Sequence, residues 1–204
     1  MELTTLFNDV YQNLRNTSLT EFIAVIFGLL SVWYARKENV WVYPTGIINV
    51  LIYVYLCFHA GLYADMGINA FYFLMSVYGW YRWTHKDSES HQLPISVLNK
   101  VQWLYSVVAV IVFFFIVRFL LVNYTDSTVP NFDSFTTALF IVAMWLMAVK
   151  KVENWIFWII GDALVIPLFA YKGLAFTGIQ YIVFLILAIM GLIEWRKRFN
   201  KSIS

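Results

Sequence analysis

Seven apolar segments, most of them close to 20 residues long, follow one another along almost the whole chain. We predict helices near 20–36, 40–58, 64–83, 101–122, 134–149, 155–171 and 176–195. A helix needs about 20 mostly apolar residues to cross the hydrocarbon core of a bilayer. Hydrophobic residues make up 61% of the sequence and charged residues 13%, which is more apolar surface than an aqueous globule of this size can bury. The sequence therefore predicts an all-α integral membrane protein with seven transmembrane helices.

The division between the first two helices is predicted from charge. Positions 36–39 read Arg-Lys-Glu-Asn, and such a cluster is costly within lipid. A turn is therefore favoured over one long helix.

The distribution of basic residues predicts the orientation of the chain. With seven spans, one side holds three Lys or Arg residues, at Arg15, Arg118 and Lys172. The other side holds Arg36, Lys37, Arg82, Lys86, Lys100, Lys150, Lys151, Arg196, Lys197, Arg198 and Lys201. Loops rich in Lys and Arg stay in the cytoplasm. We therefore expect a multi-pass membrane protein with its N-terminus outside and its C-terminus in the cytoplasm.

Several functional classes find no support in the sequence. The net charge of +2 gives no reason to expect a nucleic-acid partner, and the single Cys57 has no partner for a disulfide or a thiolate metal site. Neither a P-loop nor a His-Glu-x-x-His motif is present. Lys172 precedes the last helix, where a retinal Schiff base would need it inside. We expect no cofactor, no metal and no enzymatic activity.

The first three helices resemble the last three. Gly61 and Gly173, Gly79 and Gly191, and Trp83 and Trp195 are identical pairs at a constant shift of 112 in sequence number. Two parallel three-helix repeats plus a linker helix would form a 3+1+3, SWEET-like arrangement, related by an axis along the membrane normal. The predicted parts are an N-terminal extracellular segment (1–19), a first repeat (20–83), a cytoplasmic loop and linker helix (84–133), a second repeat (134–196) and a basic cytoplasmic tail (197–204).

Four polar residues fall at membrane depth on paired helices. Asn49 and Asp162 lie midway along helices two and six, at a shift of 113. Asn69 and Gln180 lie in the outer halves of helices three and seven, at a shift of 111. Because polar groups inside a membrane point toward the bundle interior, we interpret the four residues as two symmetric pairs around one central polar site. The alternative is that the amides only join neighbouring helices.

Aromatic residues share the faces of these polar side chains. Tyr72 follows Asn69 by three positions, and Trp158 and Trp155 precede Asp162 by four and seven. Residues three or four apart meet on one helix face. The pattern favours a pocket for a flat polar ring, either neutral or cationic. Trp83 and Trp195 lie near helix ends, a position typical of a membrane-interface belt.

Five stretches of the sequence resemble the PnuC family of bacterial B-vitamin transporters, over most of residues 20–196. They are 45–50, 61–65, 77–83, 152–160 and 180–182, the last leading to Gly191 and Trp195. The resemblance implies a 3+1+3 fold and a location in the bacterial inner (cytoplasmic) membrane. It also implies facilitated diffusion of an unphosphorylated vitamin, which a cytoplasmic kinase then traps as its phosphate. The usual substrate is nicotinamide riboside, and relatives carry thiamine or riboflavin.

The resemblance also implies binding residues. Asn49, Trp155 and Trp158 stand where the family places binding-site groups. Two positions depart from the pattern, because Asn69 stands in place of a family Gln and Asp162 in place of the Asn of the nicotinamide riboside type. A carboxylate attracts either cationic vitamin, and it pairs especially well with an aminopyrimidine, which thiamine has. Nicotinamide riboside, the usual substrate of the family, is the first expectation, and thiamine is a close second. A receptor or scaffold without transport and an intramembrane enzyme stay as alternatives, and a homo-oligomer stays open.

Overall fold

The computed structural model of the chain describes residues 18–85, 93–171 and 175–203. These residues form seven α-helices: α1 (Leu19–Arg36), α2 (Val42–His59), α3 (Tyr63–Thr84), α4 (Lys100–Tyr124), α5 (Pro130–Ala148), α6 (Asn154–Tyr171) and α7 (Ala175–Ile203). The predicted all-helical fold is confirmed. One boundary differs strongly, because α7 continues to Ile203 and the predicted tail is helical up to that residue. The predicted N-terminal segment lies outside the described residues except for 18 and 19.

Most of the described helices have the length and composition of membrane spans. Five qualify by both criteria: α1, α2, α4, α5 and the Thr177–Ser202 part of α7. A shorter apolar stretch, Asn154–Phe169, belongs to α6. The 22 residues of α3 are less apolar, and its polar residues Asp65 and Asn69 line the internal cavity described below.

The helix starts follow from local capping. The Ser18 hydroxyl accepts a hydrogen bond from the Glu21 N–H at 3.1 Å, and Asn99 and Gln102 form a reciprocal capping box before α4. Pro130 occupies the first turn of α5, where its fixed φ suits a helix and its missing N–H is not needed. This explains why α5 begins four positions before the predicted start.

The turn between α1 and α2 has the same backbone conformation as the turn between α5 and α6. Glu38 has a φ of 54° and Lys150, at a shift of 112, has a φ of 51°. Their N–H groups donate to the Ala35 carbonyl at 2.9 Å and to the Met147 carbonyl at 3.0 Å. A left-handed residue of this kind ends many helices. The predicted break at the charged cluster is confirmed, and the two turns match each other.

Six helices, α1–α3 and α5–α7, form a closed ring, and α4 lies outside it. Along the ring, α2 packs between α1 and α3, and α6 packs between α5 and α7. The ring closes through α1 against α7 and α3 against α5, while α4 packs mainly on the outside of α5. The contacts in the ring stay the same if α1, α2 and α3 are exchanged with α5, α6 and α7, respectively. This symmetry supports the predicted 3+1+3 organisation, which stays a prediction.

Four buried aromatic side chains close one end of the circle of six helices. We call them the aromatic layer: Tyr43, Trp83, Trp155 and Trp195. Tyr43 meets Trp83 edge-on at 5.1 Å, and their equivalents at the shift of 112, Trp155 and Trp195, meet edge-on at 5.7 Å. Trp83 and Trp195 are 5.9 Å apart and only 5% and 0% exposed. The interpretation of these two tryptophans as interface residues is wrong, since they belong to the core.

Charged side chains join the two halves beside the aromatic layer. Lys150 Nζ lies 2.7 Å from one carboxylate oxygen of Glu38, and Arg198 lies 3.2 Å from the other. Arg36 pairs with Glu194 at 3.3 Å. The side chains of Lys150 and Glu38 are 7% and 20% exposed, so water screens this pair less than an ordinary surface pair.

The segment before α4 is attached to the second half. The Ser96 N–H donates to the Lys150 carbonyl at 3.0 Å, and the Ser96 carbonyl accepts from the Val152 N–H at 2.9 Å. The Leu98 N–H donates to the Glu153 carboxylate at 3.0 Å. The start of α4 is therefore held against the turn between α5 and α6.

Candidate functional site

A cavity of about 580 Å³ lies between the two halves, and all six helices of the ring contribute to its lining. Its floor includes Tyr43 and Trp155 of the aromatic layer. Its other end is lined by Asp65, Asp133 and Thr177, which lie in the first turns of α3, α5 and α7. This volume falls within the range of about 300–1,000 Å³ that is usual for sites of small organic molecules.

Every binding residue predicted from the sequence lines this one cavity. The seven residues are Asn49, Asn69, Tyr72, Trp155, Trp158, Asp162 and Gln180. They come from four helices and from both halves of the protein. Their clustering satisfies the geometric requirement of the prediction, while their role in binding stays a proposal.

The predicted symmetry of the polar pairs is one residue out of register. The matched turns and the aromatic layer fix the shift between the halves at 112. At that shift Asn49 corresponds to Gly161, and Asp162 corresponds to Val50. The second predicted pair, Asn69 and Gln180, has a shift of 111 and is therefore also out of register by one residue, in the opposite direction. The site is therefore asymmetric, with the mid-membrane carboxylate in one half only.

Asp162 is a carboxylate that faces the cavity, and no basic side chain of the described residues lies opposite it in the lining. The residue is 3% exposed, and it forms no ion pair or hydrogen bond with any residue that the structure describes. The described lining residues include Asp65 and Asp133 but no Lys, Arg or His. An ionised carboxylate removed from water is unfavourable unless a positive group pairs with it. The cavity is therefore electrostatically suited to a cation.

The amides have mixed roles. The Asn49 side chain donates to the Ala24 carbonyl of α1 at 2.7 Å, which is the helix-joining role considered as the alternative. Asn69 donates to the Asp65 carbonyl of its own helix at 2.9 Å. Gln180 makes no hydrogen bond with the described part of the chain. The amide oxygen atoms of Asn49 and Asn69 therefore stay available to a polar ligand.

Four rings from α5, α6 and α7 form a stacked series along one side of the cavity, which we call the aromatic wall: Trp158, Phe140, Tyr181 and Phe169. Phe140 lies 5.2 Å from Trp158 and 6.3 Å from Tyr181, with interplanar angles of 25° and 20°. Phe169 lies 5.2 Å from Tyr181. Extended π-faces of this kind attract flat and cationic ligands.

Only one of these four rings, Trp158, was predicted from the sequence to line the site. Phe140, Phe169 and Tyr181 were missed because aromatic residues make up 20% of the chain and spacing alone does not separate lining rings from packing rings. Trp155 was identified, but it is 1% exposed and packs edge-on against Trp195. Trp158 also lines the cavity and is less deeply buried than Trp155.

The fold and the site together define a multi-pass helical membrane protein built around an internal small-molecule cavity. The model of the family described as nicotinamide mononucleotide transporter matches residues 18–197. The chain belongs to this family.

Individual relatives agree with that assignment. The chain is 30% identical to the nicotinamide riboside transporter PnuC of Escherichia coli (strain K12), over 92% of this chain and 90% of the relative. It is 26% identical to the riboflavin/roseoflavin transporter RibM of Streptomyces davaonensis, over 90% and 87% of the two chains. A crystal structure of the vitamin B3 transporter PnuC superposes with a TM-score of 0.73 at 26% identity, covering 98% of this chain and 90% of that one. The predicted PnuC-type family, and with it a transporter rather than an enzyme family, is confirmed.

Proposed function

We propose that this protein carries nicotinamide riboside across a bacterial cytoplasmic membrane by facilitated diffusion. The observation that carries the proposal is the unpaired, buried Asp162 in a cavity whose described lining has no basic residue. Nicotinamide riboside has a flat pyridinium ring with a fixed positive charge. Its ring suits the aromatic wall, its charge suits Asp162, and its carboxamide and ribose hydroxyls suit the amides.

Thiamine is the second candidate substrate. Its thiazolium ring is also a cation, and its aminopyrimidine can donate a hydrogen bond to a carboxylate such as Asp162. Riboflavin, which the name of the Streptomyces relative includes, is a larger neutral ring system. Riboflavin brings no positive charge to Asp162, so the cavity favours the two cationic vitamins.

The closed end of the cavity supports a carrier mechanism. A carrier exposes one central site to each side of the membrane in turn, by movement of one half against the other. In this structure the aromatic layer and the Lys150–Glu38 ion pair join the halves at one end. In the proposed orientation this end, which carries most of the basic residues, faces the cytoplasm. Release inward then requires these contacts to separate, and a cytoplasmic kinase that phosphorylates the vitamin would retain it.

The proposal is tested by uptake into liposomes that contain the purified protein, without ATP and without an ion gradient. Labelled nicotinamide riboside, thiamine and riboflavin are compared side by side with protein-free liposomes. We expect nicotinamide riboside to equilibrate fastest, thiamine more slowly and riboflavin at the rate of the protein-free control. Entry of none of the three would instead favour a receptor or scaffold.

Trp158→Ala should weaken vitamin binding by about 1–3 kcal/mol, because it removes the ring face at the end of the aromatic wall. Isothermal titration of the detergent-solubilised protein measures the change. Trp145→Ala is the matched control, since Trp145 is 49% exposed and stacks on Tyr78 outside the cavity lining. Equal losses in the two variants would contradict a stacking role for Trp158.

A further inference from the structure

The contact between Phe140 of α5 and Gly161 of α6 is unusually close. A Cβ atom added to Gly161 would lie 2.9 Å from both Cδ1 and Cζ of Phe140, and closer still to Cε1. Real Cβ atoms do not approach ring carbons so closely, so any side chain at position 161 would force the ring to move. The lack of a side chain at Gly161 is what allows Phe140 to lie back against α6.

Phe140 is the ring on which the aromatic wall depends. It stacks on Trp158 at 5.2 Å on one side and faces Tyr181 at 6.3 Å on the other. Through these contacts it joins α6 and α7 to α5. A shift of Phe140 toward the cavity would therefore narrow the cavity and disturb both neighbouring rings.

The corresponding contact in the first half has the opposite arrangement. Gly28 and Asn49 correspond to Phe140 and Gly161 at the shift of 112, and a Cβ atom on Gly28 would lie 3.0 Å from Asn49 Nδ2. In the first half the glycine is on α1 and the side chain comes from α2. In the second half the side chain comes from α5 and the glycine is on α6. One half thus presents an amide where the other presents a ring.

We propose that Gly161 is a specificity-determining residue that acts by positioning Phe140, and that the pair sets the space available for a ligand ring opposite Asn49. This inference rests on the proposed vitamin-carrier function and deepens it. The ligand that fits is a single flat ring with a polar substituent, lying along the aromatic wall with the substituent toward the amide. A bulkier residue at position 161 would exclude that ring without removing any group that binds it.

The test measures nicotinamide riboside affinity for a double-mutant cycle. Gly161→Ala should lower the affinity roughly tenfold, which is at the low end of the cost of overpacking by one methyl group. Phe140→Leu should lower it roughly fivefold by removing a ring from the wall. The double variant should bind about as well as Phe140→Leu alone, because the smaller side chain makes room for the added methyl group.

Gly67→Ala is the matched control, since a Cβ at Gly67 of α3 meets no atom within 4 Å. It should leave the affinity unchanged. The inference would be overturned if the affinity loss of the double variant equalled the product of the two single-variant losses. An unchanged affinity in a folded Gly161→Ala protein would overturn it as well. If Gly161→Ala does not fold, the double variant is decisive: folding and binding restored by Phe140→Leu support the pair, and continued misfolding overturns it. Failure of the wild type to bind any of the three vitamins would refute the proposed function itself, a result distinct from these.

Discussion

Asp162→Asn is expected to lower the affinity for thiamine by at least tenfold and the affinity for nicotinamide riboside by less, with little effect on folding. The smaller loss for nicotinamide riboside is expected because the family resemblance places an Asn at this position in transporters of the nicotinamide riboside type. The substitution keeps the size of the side chain and removes the negative charge that we propose pairs with the ligand. A hydrogen bond or ion pair to a charged group contributes about 1.5–3 kcal/mol, and the 3% exposure of Asp162 limits screening by water. Titration of both cationic vitamins, together with neutral riboflavin, measures the change in preference.

The stability of the same variant separates a binding role from a structural one. An unpaired buried carboxylate does not stabilise the protein, so the melting temperature of Asp162→Asn should equal or exceed that of the wild type. Asp126→Asn is the matched control, because Asp126 is exposed and lies outside the cavity lining. A variant that loses all ligands together with its folded structure would show that Asp162 acts in the fold.

Lys150→Glu is expected to open the closed end of the cavity. It places two carboxylates where the ammonium group of Lys150 and the carboxylate of Glu38 now lie 2.7 Å apart. Breaking an ion pair that is this well buried destabilises the closed form by about 3 kcal/mol or more. This is enough to shift the equilibrium between the closed and open forms by more than a hundredfold. Ser76 is 2% exposed and lines the cavity. Ser76→Cys in a Cys57→Ala background therefore reports the opening through reaction of the thiol with a membrane-impermeant maleimide.

Charge exchange provides the check on this prediction. The double variant Glu38→Lys/Lys150→Glu restores an opposite-charge pair and should return the labelling of position 76 toward the wild-type rate. Lys197→Glu makes the same change on the exposed face of α7 and should have no effect. Labelling of the Lys150→Glu protein at the wild-type rate would contradict a role for the ion pair in keeping this end closed.

The helices and the group of polar lining residues could be predicted because the bilayer imposes strong and local rules. Span length, the cost of charge in lipid and the inward direction of polar groups act on each segment separately. The break at Glu38 and the inclusion of Asn49 and Asp162 in one cavity followed from these rules. They did not require knowledge of how the helices pack.

The parts that could not be predicted depend on contacts between helices. Trp83 has the sequence position of an interface residue, yet it is buried because it meets Tyr43 and Trp195. Phe140 becomes part of the site only because Gly161, on another helix, leaves it room. The shift of 112 given by the glycine and tryptophan pairs is shared by the backbone geometry of the two turns, whereas the polar residues alone suggested shifts one larger and one smaller.

Opposite charges at the two corresponding turn positions have a consequence for assembly. Glu38 and Lys150 occupy equivalent places and touch each other across the junction. Two copies of the first half would bring glutamate against glutamate there, and two copies of the second half would bring lysine against lysine, and both arrangements are repulsive. Each half is therefore charge-complementary to the other half at this contact, and a symmetric dimer of either half alone would be disfavoured there.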